Sequence, residues 1–235
     1  MRFALLALNL LCGMTVAGAE LLPPETAVET VVDHYIDAAL QANQIAPAGP
    51  ADDANFIRRV MLDVAGRIPT AKETADYVAS TDPQKKLQLV DRLINSPDFA
   101  FHLRNELETM LLPGRHDGPF REYLLKAIQE QRPWPQLFTA MIVGREYVPA
   151  EKPALAFLKT RAANVDDLTN DTSKLFFGVS INCAKCHDHP LVADWKQDHY
   201  FGMASFFNRT YVTKKNFLAE RDDGFLKFRT TKGEE

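Results

Sequence analysis

Apolar residues recur at intervals of three and four along most of the chain, which is the spacing that places them on one face of an α-helix. The first such stripe lies within 26–44 and predicts an amphipathic helix there. Further helices are predicted over 53–65, 70–79, 82–94, 96–110, 120–131, 135–143, 165–179 and 196–207. Short strands are expected only at 211–212 and 225–228. The pattern predicts a mainly α fold, a multi-helix orthogonal bundle with little or no sheet.

Residues that typically begin or end helices lie at the boundaries of several of these predicted helices. Thr70 and Glu73 form a T-x-x-E capping box ahead of the third predicted helix. Ser96, which is followed by proline, and Asn164 are suited to cap two later helices. Gly66 is placed to end the second one, because glycine readily adopts the left-handed conformation found there.

The chain begins with the features of a secretory signal peptide. Arg2 supplies a positive charge, an apolar run follows over 3–11, and small residues at 17–19 fit the cleavage rule. Residues 1–19 are therefore predicted to be removed on export to the periplasm or the extracellular space. The apolar run is too short to predict a membrane span, so no transmembrane segment is expected in the mature chain.

The mature chain divides into three predicted regions. Residues 20–52 are expected to form an N-terminal helix and a linker, and 53–207 a helical domain. Residues 208–235 are expected to be a C-terminal tail or the start of a truncated further domain, because the helical pattern weakens after 207.

The strongest chemical signal is a C-x-x-C-H motif near the C-terminal part, formed by Cys183, Cys186 and His187. Two thiols one helical turn apart can each add to a vinyl group of one porphyrin, and the following histidine can ligate the iron. The sequence contains three cysteines, and the third lies in the predicted signal peptide. The mature chain thus has no second pair for a disulfide framework. The motif predicts one covalent haem c, with His187 as the proximal ligand.

Two other interpretations of the motif stay open. Zinc needs four tetrahedral ligands, which Cys183, Cys186 and His187 would supply together with His189 or His199. The protein would then be a metal-stabilised helical binding module without redox chemistry. Alternatively, Cys183 would attack a disulfide and Cys186 would resolve it.

A haem iron also needs a sixth ligand or an open coordination position. Met203 is the candidate distal ligand, because it lies in an aromatic segment downstream of the motif. Asp188 is a candidate acceptor for His187 or His189, or else a helix-end or turn carboxylate. The acidic pair Asp166 and Asp167 is expected to cap a helix or to carry solvated charge. Apolar residues that would enclose a haem flank the motif on both sides: Leu175, Phe176, Phe177, Val179, Trp195, Tyr200, Phe206 and Phe207.

Charge and further motifs narrow the function classes. The net charge of −4 argues against nucleic acid as the main partner. The chain has no G-x-S-x-G, H-E-x-x-H or glycine-rich phosphate loop, so no enzymatic activity is assigned. Electron transfer with a redox partner protein is the expected function, and the sequence does not determine the oligomeric state.

Several segments resemble the planctomycete-type secreted cytochrome-like domain, an exported domain of unknown function. The resemblance lies in 56–63, 66–70, 86–96 and the run 177–207 that contains the cysteine motif. It implies an exported, mainly helical, cytochrome-like module over about 55–207, with Cys183 and Cys186 as haem attachment and His187 as axial ligand.

The sequence departs from this family in two ways. The region 102–116 lacks the tryptophan- and tyrosine-rich stretch usual there, so a contact surface is expected to differ. Family members also tend to continue into a second large domain, whereas this sequence ends at Glu235. A short member or a fragment is therefore expected.

Overall fold

The structure is a computed structural model that describes residues 21–225, 227, 229–230 and 233–234. The predicted signal peptide and its cleavage site lie outside the described residues. The chain divides into two compact units, Met1–Asp52 and Asp53–Glu235. In the first, α1 (Val28–Ala42) occupies the predicted amphipathic segment and contains no buried residue.

The second unit begins with a group of three helices around a small core of its own. Ile57 and Met61 of the first helix are fully buried against Leu89 and Leu93 of the third, as their helical spacing predicts. The predicted capping box is present, because Thr70 accepts from the backbone of Glu73 and the Glu73 carboxylate accepts from Thr70. The helices are α2 (Asp53–Ala65), α3 (Ala71–Ala79) and α4 (Lys85–Ile94).

The main core lies among the helices that follow. Phe120, Leu124, Met141, Phe157 and Leu168 are completely buried there. The Ser96 side chain caps the first of these helices, and Asn164 caps the last, as predicted. The elements are α5 (Pro97–Leu111), α6 (Gly118–Gln129), α7 (Trp134–Val143), a 3-10 turn (Lys152–Leu155), α8 (Ala156–Lys159) and α9 (Val165–Phe177).

The cysteine motif lies beyond α9 rather than on it. The sequence predicts that this helix continues to 179 and runs into the motif, but α9 ends at Phe177. Gly178 then adopts a left-handed conformation with φ of 69° and turns the chain. The motif therefore begins on a separate 3-10 turn, Asn182–Lys185.

The remaining elements complete the region around the motif. Helix α10 (Gln197–Ser205) packs against the motif's 3-10 turn and against α9. An antiparallel pair follows, β1 (Thr210–Val212) and β2 (Leu218–Glu220), in which Tyr211 lies opposite Ala219. A second short pair is β3 (Arg229–Thr230) and β4 (Gly233–Glu234). The strand expected at 211–212 is present and pairs with 218–220, whereas the strand expected at 225–228 lies partly outside the described residues.

The mainly helical fold class is thus confirmed, and the sheet content among the described residues is two short hairpins. The helices described here are all too short or too polar to cross a membrane.

The close approach of Gly66 to α5 gives a first testable prediction. Gly66 has φ of 68°, and a β-carbon added there would lie 2.5 Å from Nδ1 of His102. We expect Gly66→Ala to lower the free energy of unfolding by about 2–4 kcal/mol. The strain of an alanine in the left-handed conformation and the steric overlap of its β-carbon with His102 both contribute. Gly178→Ala is the matched control, since its φ is 69° but its surroundings are open. It should lose only about 1–2 kcal/mol in the same urea titration, and equal losses would contradict the packing argument.

Candidate cysteine and histidine site

Cys183 lies within the motif's 3-10 turn, and Cys186 directly follows that turn. Both cysteines are exposed, and neither is in a disulfide. Ala184 between them is fully buried against Ile181 and Tyr200. The small apolar residue thus anchors the turn in a core while the thiols face outward.

A charged network holds the turn from beneath. The Asp166 carboxylate, in the first turn of α9, accepts a hydrogen bond from Nζ of Lys185, the residue that precedes Cys186. Its other oxygen accepts from the hydroxyl of Tyr200 on α10 at 2.5 Å. Asp166 therefore joins α9, the cysteine turn and α10.

The ionisation of these three groups is coupled. The hydrogen bonds from Lys185 and then from Tyr200 lower the pKa of Asp166, and the same ion pair raises the pKa of Lys185. Burial, with the hydrogen bond to Asp166, raises the pKa of Tyr200. At neutral pH the network is therefore a carboxylate between an ammonium and a neutral phenol.

A second set of contacts fixes the other side of the motif. The Asp188 carboxylate accepts a hydrogen bond from the backbone N–H of Gln197 at 3.2 Å, at the beginning of α10. The buried Gln197 side chain donates back to the carbonyl of Lys185 at 3.4 Å. The side chain of Asp188 thus stabilises a helix start, and it is its backbone carbonyl that reaches His187.

The hydrogen bond of His187 determines which ring nitrogen has a free lone pair. Nδ1 of His187 lies 2.8 Å from the Asp188 carbonyl oxygen. A carbonyl can only accept, so Nδ1 carries the proton and donates. Nε2 of the neutral ring then has an available lone pair, which is the arrangement usual for metal-ligating histidines. His187 is exposed, so this atom is accessible.

The two neighbouring histidines have the opposite tautomer. Nδ1 of His189 accepts from the backbone N–H groups of Leu191 and Val192 at 3.2 and 3.1 Å. Nδ1 of His199 accepts from the N–H of Lys196 at 3.1 Å. In a neutral ring the proton must then lie on Nε2, so these two rings have no free lone pair for a metal.

Zinc ligation would therefore require both a change of tautomer and a rearrangement. Within the part of the chain that the structure describes, no three side chains of the His, Cys, Asp and Glu types are grouped so that they could hold a metal ion. The predicted set of Cys183, Cys186 and His187 with His189 or His199 is not assembled in this arrangement.

Comparison with known proteins places the chain in a family. A family profile described as PSCyt2, protein of unknown function (DUF1549), matches residues 31–212. The chain belongs to this family. Searches of curated proteins and of solved structures found no match. Membership in a domain family of unknown function, expected from the sequence, is confirmed. The family's description names no cofactor and no activity, so the cytochrome character stays a prediction.

The aromatic residues that flank the motif in this DUF1549 chain lie in three different environments. Tyr200 is buried beside the motif, whereas Phe176 and Phe207 pack in or against the main core. Phe177 and Phe206 are exposed. They therefore do not form one enclosure around Cys183, Cys186 and His187.

Met203, the predicted distal ligand, is half-buried on α10. Its side chain packs against both the main core and the small core beneath the motif. It also lines a cavity whose wall does not include the two cysteines or His187. Its ligation of iron stays a prediction.

Asp166 is the site residue of this DUF1549 chain that sequence reasoning missed. As half of an acidic pair at a helix start, it fits a cap or a solvated charge. Lys185 and Tyr200, which it contacts, lie 19 and 34 residues away from it in the sequence, so no local pattern indicates these contacts.

The network predicts a pH-dependent loss of stability in Asp166→Asn. The pKa of Asp166 is lowered in the folded state, so its contribution is present above the ordinary aspartate range and lost as the pH falls through the folded value. We expect a loss of about 1–2 kcal/mol at neutral pH, since the carboxylate is partly exposed. The difference in the free energy of unfolding between Asp166→Asn and the native chain should become smaller at acid pH. Asp167→Asn, an exposed neighbour in the same helical turn, should show neither effect in parallel urea titrations.

Proposed function

We propose that this chain is an exported electron-transfer module that carries one covalent haem c. Cys183 and Cys186 form the two thioether bonds, and His187 is the proximal ligand. The observation that supports this most is the hydrogen bond from Nδ1 of His187 to the Asp188 carbonyl. It leaves Nε2 free for iron, and the two cysteines of the same motif are exposed and unbonded.

The donor chemistry of these residues fits haem c. Covalent attachment needs two accessible thiols, and both cysteines, one on the 3-10 turn and one directly after it, are exposed and outside any disulfide. The iron, when bound, supplies reversible one-electron transfer. The chain's own part is to hold the porphyrin edge, to present one imidazole nitrogen and to keep that ring oriented.

The rigid base under the motif supports the same proposal. Asp166 holds Lys185 and Tyr200, and Gln197 bonds to both Lys185 and Asp188. These contacts link the turn to two helices. The thiols and the imidazole are thereby positioned by packed elements rather than by a free loop, as a site with a fixed ligand geometry requires.

The loop after the motif offers apolar surface for a porphyrin. Leu191 and Val192 are exposed, Leu191 to 88%. Their backbone N–H groups donate to Nδ1 of His189, and the backbone N–H of His189 donates to the Trp195 carbonyl at 2.7 Å. Two solvent-exposed apolar side chains near the motif favour binding of an apolar ligand that would bury them.

The exposed position of the motif also suits exchange of electrons with another protein. The predicted signal peptide agrees with this, because thiols that receive haem c do so outside the cytoplasmic membrane. The partner is proposed only as a redox protein that docks against the exposed motif surface.

An absorption spectrum tests this proposal. The full chain is produced with its signal peptide in a host that matures haem c, and in parallel with Cys183 and Cys186 both replaced by serine. We expect a sharp α-band in the reduced native chain, with colour that remains on the protein after acid-acetone extraction, and no colour in the serine variant. A colourless native protein with one equivalent of zinc would overturn the haem assignment.

A further inference from the structure

Helix α5 and the start of α6 bring two arginine side chains together. Arg104 lies in the middle of α5, and Arg121 lies near the beginning of α6. Both donate a terminal N–H to one acceptor, the side-chain oxygen of Asn105, at 2.8 and 3.0 Å. The two guanidinium groups are therefore close neighbours, although their like charges repel each other.

A carboxylate compensates the charge of Arg121. This residue forms an ion pair with Glu108, which is almost completely buried. Among the residues that the structure describes, none forms an ion pair with Arg104. Nδ1 of His116 lies 3.5 Å from the same Glu108 carboxylate and adds no negative charge. The group thus has one positive charge in excess.

The charge of Arg104 is also partly removed from water. Its Nε–H is enclosed by the protein and has no hydrogen-bond partner among the described residues. Burial, and then the nearby charge of Arg121, lower the pKa of Arg104. Arg67, by contrast, pairs with both Glu73 and Asp98. A partly desolvated charge without a counter-ion is unfavourable, so the terminal N–H groups of Arg104 favour an anion as their partner.

Asn105 occupies the position between the two arginines where such an anion would bind. It is exposed, and its amide oxygen is a neutral acceptor for two cationic donors. A carboxylate has the same planar shape as the amide but carries a full negative charge, so it forms stronger hydrogen bonds with guanidinium groups. One carboxylate also supplies the single negative charge that the group lacks.

An aromatic ring lies beside this position. Cζ of Arg104 is 5.2 Å from the ring centroid of Phe101, which is 45% exposed. The uncovered part of this ring is an apolar surface next to the charged group. It favours a ligand whose carboxylate is attached to a flat ring, because ring–ring contacts add to the gain from burying apolar area.

We propose that Arg104 and Arg121 bind the carboxylate of a small aromatic acid, which displaces the Asn105 amide and contacts Phe101 with its ring. The site goes beyond the proposed haem function and does not depend on it, because it uses no residue of the cysteine motif.

Binding can be measured by nuclear magnetic resonance on the full chain with ¹⁵N-labelled arginine. The probes are benzoate and benzamide, which share the ring and the planar group but differ in charge. We expect a saturable shift of the Arg104 Nε–H signal with benzoate, and binding of benzamide that is weaker by roughly tenfold or more. The Arg67 signal should not shift, because two carboxylates already compensate this residue.

Two variants of Asn105 test the excess charge. Asn105→Asp places a carboxylate of the chain itself between the guanidinium groups, so it should raise the urea midpoint and weaken benzoate binding by roughly tenfold or more. Asn105→Ala is the matched control, because it removes the amide without adding charge and should retain benzoate binding. Absence of a saturable Arg104 shift, equal affinities for the two probes, or unchanged benzoate binding in Asn105→Asp would overturn the site. An unchanged or lower urea midpoint of Asn105→Asp would overturn the excess charge on which the site depends.

Discussion

The His187→Ala chain, matured in a haem-c host, should lose the sharp low-spin spectrum of a histidine-ligated iron. His189→Ala and His199→Ala should keep it. This expectation follows from the tautomers, because Nδ1 of His187 donates to a carbonyl whereas Nδ1 of the other two rings accepts from backbone N–H groups. The effect should be nearly complete, since Nε2 of His187 is proposed as the proximal ligand. The measurement is the oxidised and reduced absorption spectrum of the four purified proteins.

The same three variants discriminate against the zinc interpretation. If His189 or His199 completed a zinc site, its replacement would lower the metal content of the purified chain as much as His187→Ala does. A haem spectrum that survives His187→Ala but not His189→Ala would contradict the assigned proximal ligand.

Arg161→Met should cause the largest loss of stability of any single variant considered for this chain. Arg161 is only 7% exposed and its guanidinium stacks over the ring of Phe157. It donates to the carbonyls of Phe157 and Leu111 at 3.1 and 2.8 Å and pairs with Asp171 at 2.6 Å. Removal would leave two buried carbonyls and one carboxylate without this partner. We expect the free energy of unfolding to fall by about 3–5 kcal/mol.

The matched control for this variant is Arg115→Met. Arg115 is exposed and lines the same small surface depression as Arg161, so its loss should change stability by only about 0.5 kcal/mol. Urea titrations of the two variants measure the difference in their free energies of unfolding, provided that this free energy falls with urea concentration at the same slope in both. Equal midpoints would show that the contacts of Arg161 do not stabilise the main core.

The helices were predictable because their signals are local. The stripe of α2, the capping box at Thr70 and the caps at Ser96 and Asn164 each depend on residues within one or two turns. The same locality explains the error at the end of α9, where apolar residues continue the helical pattern to 179 but Gly178 turns the chain first. A glycine is compatible with either outcome, and only the packing of the following turn selects one.

The candidate donor atoms can be proposed from the sequence, but their structural support cannot. Cys183, Cys186 and His187 lie within five consecutive residues, so the motif itself is visible without a structure. The role of Asp166 depends on contacts between three separate elements, and the role of Asp188 is divided between its carboxylate and its carbonyl. Neither can be derived from spacing. The tautomers of His187, His189 and His199 likewise depend on which backbone group the fold places beside each ring.

The most direct test of the central claim is the mass of the chymotryptic peptide that contains Cys183, Cys186 and His187, taken from protein matured in a haem-c host. The account predicts that this peptide is heavier than its sequence by one haem and that the serine double variant is not. An unmodified peptide mass from protein of full length, with both thiols open to alkylation, would contradict it.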